Sequence, residues 1–304
     1  MARWFLLWSR SSSRCLWQSE SQFSLPKCVR STFQRLGREL TRLAKHPAPG
    51  SVHKFRTNSR RVEALLSEVV PELTRNNKKL LKLLSRLRKK AGRVRDLDVE
   101  IASLRTLKIP GGNGHKTQFV DALVQERIRR EQQLAKAFSR KIAAELGKRL
   151  RRAASDLDVP NSVEPVNLTL LKLAQLGRDN ALLTEKTLHQ YRIIGKRARY
   201  IAELAHQDAA ATQIVEQLKH MQDVIGDWHD WLKLTQKAEA LFGGIRDSAL
   251  VAMLRNVTQA KFRQSVDAVA ETRAALSGQK REPSRAATSS RKSDQETKVT
   301  PAVA

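Results

Sequence analysis

Two short basic runs in this chain have the types and spacing to do chemistry. In the first, His53-x-x-Arg56-x-x-x-Arg60-Arg61, the spacing is helical. On a wheel of about 100° per residue, His53, Arg56 and Arg60 share one face, and Phe55, Val62, Leu65, Leu66 and Val69 share the opposite one. The second run, His189-x-x-Arg192-x-x-x-Lys196-Arg197, repeats the pattern 136 residues later, and Arg199 and Tyr200 follow it. An imidazole and two or three cations within two turns offer donors and positive charge to one kind of object, an anion. A metal is the competing use of the histidines. No His or carboxylate stands four residues after His53 or His189, and the neighbours at three, seven and eight residues are cations, which oppose a divalent metal.

A second motif follows each run in the same order. Gly92-Arg93-Val94-Arg95-Asp96 recurs as Gly226-Asp227-Trp228-His229-Asp230, at an offset of 134. Two motifs at nearly equal offsets indicate duplication, and so two homologous helical halves. Arg93, Arg95 and His229 add donors. Asp96, Asp98, Asp227 and Asp230 lie beside them and are expected to orient these groups and offset their repulsion, not to act as catalytic acids. Mg²⁺ on Asp96 and Asp98 is disfavoured by the adjacent arginines.

Between the two motifs of the first half runs a more extreme feature. Arg75, Lys78, Lys82, Arg86, Lys89 and Arg93 recur every three or four residues, and Arg75 to Arg95 contains ten Lys/Arg and no acid. Like charges at i,i+4 cost a helix a few tenths of a kcal/mol per pair. An ordinary solvated face mixes signs, as Glu126, Glu131 and Glu145 do among the arginines of 127–152. The unmixed stripe therefore points to an anion.

The elements that position these residues are helices throughout. Periodicity places them at about 29–46, 52–70, 74–91, 94–107, 116–155, 166–180, 185–207, 211–224, 228–241 and 246–276. Breaks are expected at His46 to Gly50, Pro110 to Gly114, Pro160 to Pro165 and Gly243-Gly244. No strand-length run of β-branched residues stands between turn signals. The domain organisation is an irregular basic extension over 1–28, a helical domain over 29–277 with halves of about 29–158 and 166–277, and a disordered tail over 278–304 that is poor in apolar bulk. The Arg- and Ser-rich start, with its cluster Trp4 to Trp8, is too short for a secretory core and fits either a basic extension or a transit peptide.

The 304 residues carry a net charge of +27, of which +17 falls on residues 52–277. The excess belongs to the folded body, and it calls for a polyanionic partner: nucleic acid, an anionic surface or a phosphate polymer. An aromatic content of 5% argues against an extensive stacking platform for single strands. No stretch reaches the roughly 20 apolar residues of a membrane span. Cys15 and Cys28 are too few for a disulfide framework or a structural zinc site, and read as reduced thiols. There is no phosphate-binding Gly loop, nucleophile elbow or metal-ligand spacing, so no enzyme class and no cofactor is indicated.

Taken together, His53-x-x-Arg56-x-x-x-Arg60-Arg61 with Arg95-Asp96-Leu97-Asp98, and His189-x-x-Arg192-x-x-x-Lys196-Arg197-x-Arg199-Tyr200 with Gly226-Asp227-x-His229-Asp230, resemble the two halves of a CHAD domain, the conserved histidine α-helical domain. The resemblance spans roughly residues 29–276. It implies an all-α fold of two antiparallel helical bundles, related by a pseudo-twofold axis around a basic central groove or channel that binds inorganic polyphosphate. Carried over, the anion-binding groups are His53, Arg56, Arg60, Arg61, Arg93, Arg95, His189, Arg192, Lys196, Arg197, Arg199 and His229. The helical stripe adds Lys82, Arg86 and Lys89. The acid-x-acid-x-Lys strand of a triphosphatase domain is absent, so triphosphate hydrolysis is not indicated. The expectation is a non-catalytic polyphosphate binder of the cytoplasm or of polyphosphate granules. The alternative is a generic nucleic-acid-binding helical protein, and an anionic membrane surface is a further possible partner. A thin flexible polyphosphate suits a concave channel, whereas duplex DNA prefers a convex element entering its groove.

Overall fold

Polar caps and prolines set where the chain turns helical. Thr74 accepts from the Asn77 amide at 3.2 Å, Ser139 from Ile142 at 3.4 Å and Asp208 from Ala210 at 2.8 Å, while Thr184 and Thr187 cap one another reciprocally. Pro49 and Pro165 sit in first turns, where a missing N–H costs nothing. The resulting helices, in a computed structural model, are α1 (Leu25–Lys45), α2 (Pro49–Glu68), α3 (Arg75–Thr106), α4 (Gly114–Ala137), α5 (Arg140–Ser155), α6 (Pro165–Ala174), α7 (Glu185–Ala202), α8 (Ala209–Phe242) and α9 (Ala249–Leu276). A single 3₁₀ turn, Glu203–Ala205, follows α7. The structure describes residues 25–45, 48–109, 114–157, 159–160, 163–176, 183–246 and 248–276, and among them every regular element is helical. The expected tail over 278–304, and the expected extension up to residue 24, lie outside the described residues; α1 already begins at Leu25, four residues earlier than the sequence indicates.

Three boundaries differ from the sequence reading. The separate helices expected at 74–91 and 94–107 are one, as are those at 211–224 and 228–241: α3 and α8 run straight through Gly92 and Gly226. The reason is apolar continuity: Leu80, Leu84, Leu87, Ala91, Val94, Leu97, Ile101 and Leu104 are all buried along α3. One helical glycine costs about 1 kcal/mol, too little to undo that burial. Conversely, the expected helix over 116–155 is two helices. Phe138 leaves the axis to bury its ring edge-on against Phe55, with centroids 5.1 Å apart, and Ser139 caps the restart.

Three apolar clusters hold the helices. The first joins α1, α2, α3 and α5 through residues such as Phe33, Phe55, Leu84 and Leu146. The second joins α7, α8 and α9 through Leu188, Met221, Trp228 and Val269, with α6 packed against it. The third is shared: Leu97, Ile101 and Leu104 of α3 and Phe119 and Leu123 of α4 meet Leu234, Ala238, Leu250 and Leu254 of α8 and α9. The two helix groups thus lie side by side, with α2 against α7 and α3 against α8. Those two contacts bring the basic runs of the sequence together.

Candidate anion-binding site

The heart of the site is a pair of arginines on α2 and α7. Arg56 crosses α3 at Gly92, where a Cβ would sit 3.7 Å from its Nη2. Its Nη2 meets Asp96 Oδ1 at 3.2 Å, and its side chain is only 13% exposed. Arg192 is its counterpart: partly buried, with Asp230 as its main opposite charge and Asp96 as a second. In both residues the Nε–H is shut off from solvent and has no hydrogen-bond partner. A buried charged donor left unpaired is costly, and an anion entering beside it would satisfy it.

Around this pair the structure gathers most of the expected groups. Arg60, Arg192, Lys196 and Arg197 line one cleft of about 480 Å³ between α2, α3 and α7. His53 lies near Arg95, Arg56 and Arg60; burial, and then those three cations, hold its pKa below the ordinary imidazole value. The rings of His189 and His229 are 5.6 Å apart. His229 is pushed down to about 4, first by burial, then by Arg192, Lys233 and His189. It is therefore a neutral hydrogen-bonding group near pH 7, not a cation. Among the described residues no group of three His, Cys, Asp or Glu side chains is placed to hold a metal ion.

Lys196 is the most perturbed of these groups. Burial, then Arg192, Arg60 and Arg199, push its ammonium down to about 6, with Asp230 opposing. Asp230 itself is raised by burial, against the pull of Arg192.

Other expected residues are placed differently. Arg61 and Arg199 converge on Glu203, at 2.7 and 3.4 Å, and both guanidiniums approach the Tyr200 ring. Arg197, 55% exposed, is 3.6 Å from Glu68. These three already have carboxylate partners. Lys82, Arg86, Lys89 and Arg93 are exposed and line a separate shallow hollow on α3, which shares only Ser85 with the cleft. The stripe borders the site and does not enter it. Arg75 and Lys78 are exposed further along the same helix.

The four orienting carboxylates split into two pairs. Asp96 serves Arg56 and lies 3.9 Å from Lys233, and Asp230 serves Arg192. Asp98 instead binds Arg127 of α4 at 2.8 Å, and Asp227 binds Lys261 of α9 at 2.8 Å. Residues two apart on a helix face different ways, so Asp96 and Asp98 cannot serve one group. These two are corrections to the sequence reading: they tie neighbouring helices together.

Lys233, Arg88, Glu63, Glu68 and Glu203 were not anticipated. Lys233 had a signal, standing one turn after His229. Arg88 lines the cleft but is paired with Glu63 at 2.9 Å. Glu63, Glu68 and, toward Arg61, Glu203 act across helices, which no local spacing announces; only the i,i+4 contact of Glu203 with Arg199 had a local signal. The arginines of 127–152 behave as a mixed-sign face should: Arg129 and Arg130 pair with Glu126, Arg127 with Glu131 and Arg149 with Glu145.

Comparison with known proteins bears on the arrangement as a whole. The profile of the CHAD domain matches residues 27–239. The crystal structure of the CHAD domain from the plant Ricinus communis superposes with a TM-score of 0.61 at 19% identity, covering 84% of this chain and 91% of that one. PptA from Streptomyces chartreusis gives 0.61 at 14% identity, covering 83% and 98%. At these identities the likeness is one of fold. No curated protein matches significantly.

Proposed function

The chain belongs to the CHAD domain family, and from that premise we propose that it binds inorganic polyphosphate between its two helix groups without turning it over. The family is associated with polyphosphate binding. The observation that carries the reading to this chain is the Arg56–Arg192 pair, two enclosed guanidiniums from opposite groups, each with an unpaired Nε–H, of which Arg192 lines the basic cleft and Arg56 lies beyond it. Successive phosphates of a linear polymer would meet Arg60, Arg192 and Lys196 in the cleft and reach Arg56, Arg95 and the histidines beyond it. Arg forks match phosphate oxygens in pairs. The matching chemistry of Arg56–Asp96 and Arg192–Asp230 supports the reading of a duplicated, pseudo-twofold site. In a cell such a protein would sit in the cytoplasm or on polyphosphate granules.

The test is competition. Labelled long-chain polyphosphate is bound to the full chain at about physiological salt, where the Debye length is roughly 8 Å, and challenged with duplex DNA at equal phosphate. Retention of polyphosphate is expected. Equal displacement by DNA would reduce the protein to a general polycation.

A further inference from the structure

We propose that Lys196 is a proton-coupled ligand of the site: it rests as a neutral amine and takes up a proton when a phosphate polymer enters the cleft. This rests on the polyphosphate reading above and assigns the residue that sets its selectivity.

The argument begins with what faces the side chain. From its own helix come Arg192, Arg197, Arg199 and Tyr200; from α2 come Arg60 and Glu63; from α3 comes Arg88; from α8 comes Asp230. Several of these charges are spent elsewhere. Glu63 is held by Arg88, Arg197 by Glu68, and Arg199 by Glu203. Asp230 lies against Arg192. Lys196 is thus a half-buried amine in a cleft with a surplus of fixed guanidiniums and no carboxylate of its own. Arginine cannot shed its proton, and lysine can. When such a cleft holds no anion, lysine is the group that gives way, in accord with its ammonium being pushed down to about 6.

A polyanion reverses the balance. Phosphate oxygens beside Lys196 favour the ammonium, so the amine takes one proton from solvent as the polymer binds. Only a ligand of high charge density offsets the three neighbouring arginines. An isolated sulfate lacks the adjoining charges of a polymer and drives this protonation far less. The cleft therefore discriminates by charge density, through a group that is charged only when the right ligand is present.

The sign follows from linkage. Below pH 6 Lys196 is already protonated and binding takes up no proton there. Above it, the bound state holds more protons, so affinity falls as pH rises, by about tenfold between pH 7 and 8.

The experiment titrates the full chain with long-chain polyphosphate, which has few titrating end groups, from pH 6 to 8.5. Calorimetry in two buffers of different ionisation enthalpy counts the protons. Wild type should take up close to one more proton at pH 7.5 than Lys196→Met. Lys196→Arg, permanently charged, should bind with a flatter pH profile. Wild-type binding that is flat with pH and takes up no proton overturns the inference alone. A slope retained in Lys196→Met also overturns it, because another group then titrates. Absence of binding at every pH overturns the polyphosphate reading itself, and this assignment with it.

Discussion

The central cleft and the α3 stripe are both strongly basic, but they differ in what their charges face. Arg56, Arg192 and Lys196 are enclosed, with few counter-charges and two unpaired guanidinium donors. Lys82, Arg86, Lys89 and Arg93 are exposed to water and salt. An exposed charge has already been solvated, so an anion gains little by pairing with it. An enclosed one has lost its solvent, and an anion restores what burial removed. Charge density along the sequence is therefore a poor guide to where affinity lies. The stripe is the more conspicuous feature, and the cleft is the proposed site.

The largest effect should come from the cleft. Arg56→Met combined with Arg192→Met removes two charge-assisted contacts, each worth about 1.5–3 kcal/mol. Polyphosphate affinity should drop by roughly two orders of magnitude or more, while circular dichroism stays helical because neither side chain belongs to an apolar cluster. Full affinity in a folded double variant would move the site elsewhere.

The stripe should behave differently. Neutralising Lys82, Arg86, Lys89 and Arg93 to Gln removes exposed cations beside the mouth of the cleft. Each one that contacts a phosphate contributes about 0.7 to the slope of log affinity against log salt. The quadruple variant should flatten that slope by up to about 3, with a modest loss at physiological salt and almost none at high salt. If it lost as much at high salt as the cleft variant, the contrast between solvated and enclosed charge would fail.

How far the sequence announced this depends on the range of the interaction. The faces of α2 and α7 were legible because helical periodicity fixes which side chains share a face, and the opposite faces are plainly apolar. The pairing of α2 with α7 followed only from the repeat and the family resemblance. Spacing misled where a glycine stood inside a continuous apolar face. Gly92 ends no helix; the Arg56 guanidinium packs across it, at a distance where even a Cβ would be in ordinary contact. It misled again at Asp98 and Asp227, whose partners arrive from α4 and α9. Glu68, Glu63 and the Arg61 contact of Glu203 were illegible for the same reason. They neutralise arginines on other helices, and a wheel carries no information about what packs against it; only Arg199–Glu203 follows an i,i+4 spacing.

Two neighbours on α7 give the smallest and sharpest test. Lys196 and Arg197 are adjacent cations in the second basic run, and the helical wheel puts Lys196 on the face of His189 and Arg192 and Arg197 on the flank. The structure separates them by burial and by partner. Arg197 is 55% exposed and shares Glu68 with Lys172, which holds that carboxylate at 2.6 Å. Deleting its side chain strands no charge, since Lys172 keeps Glu68 paired, and a 3.6 Å contact from an exposed guanidinium is worth about 0–1 kcal/mol. Arg197→Ala should therefore weaken polyphosphate binding by less than about threefold, well below the loss on removing Arg192 one turn earlier, and should leave the melting temperature nearly unchanged. The same titration series reads both. A loss at Arg197 as deep as that at Arg192 would place the polymer along the outer edge of α7, and the distinction between enclosed and solvated cations would no longer locate the site.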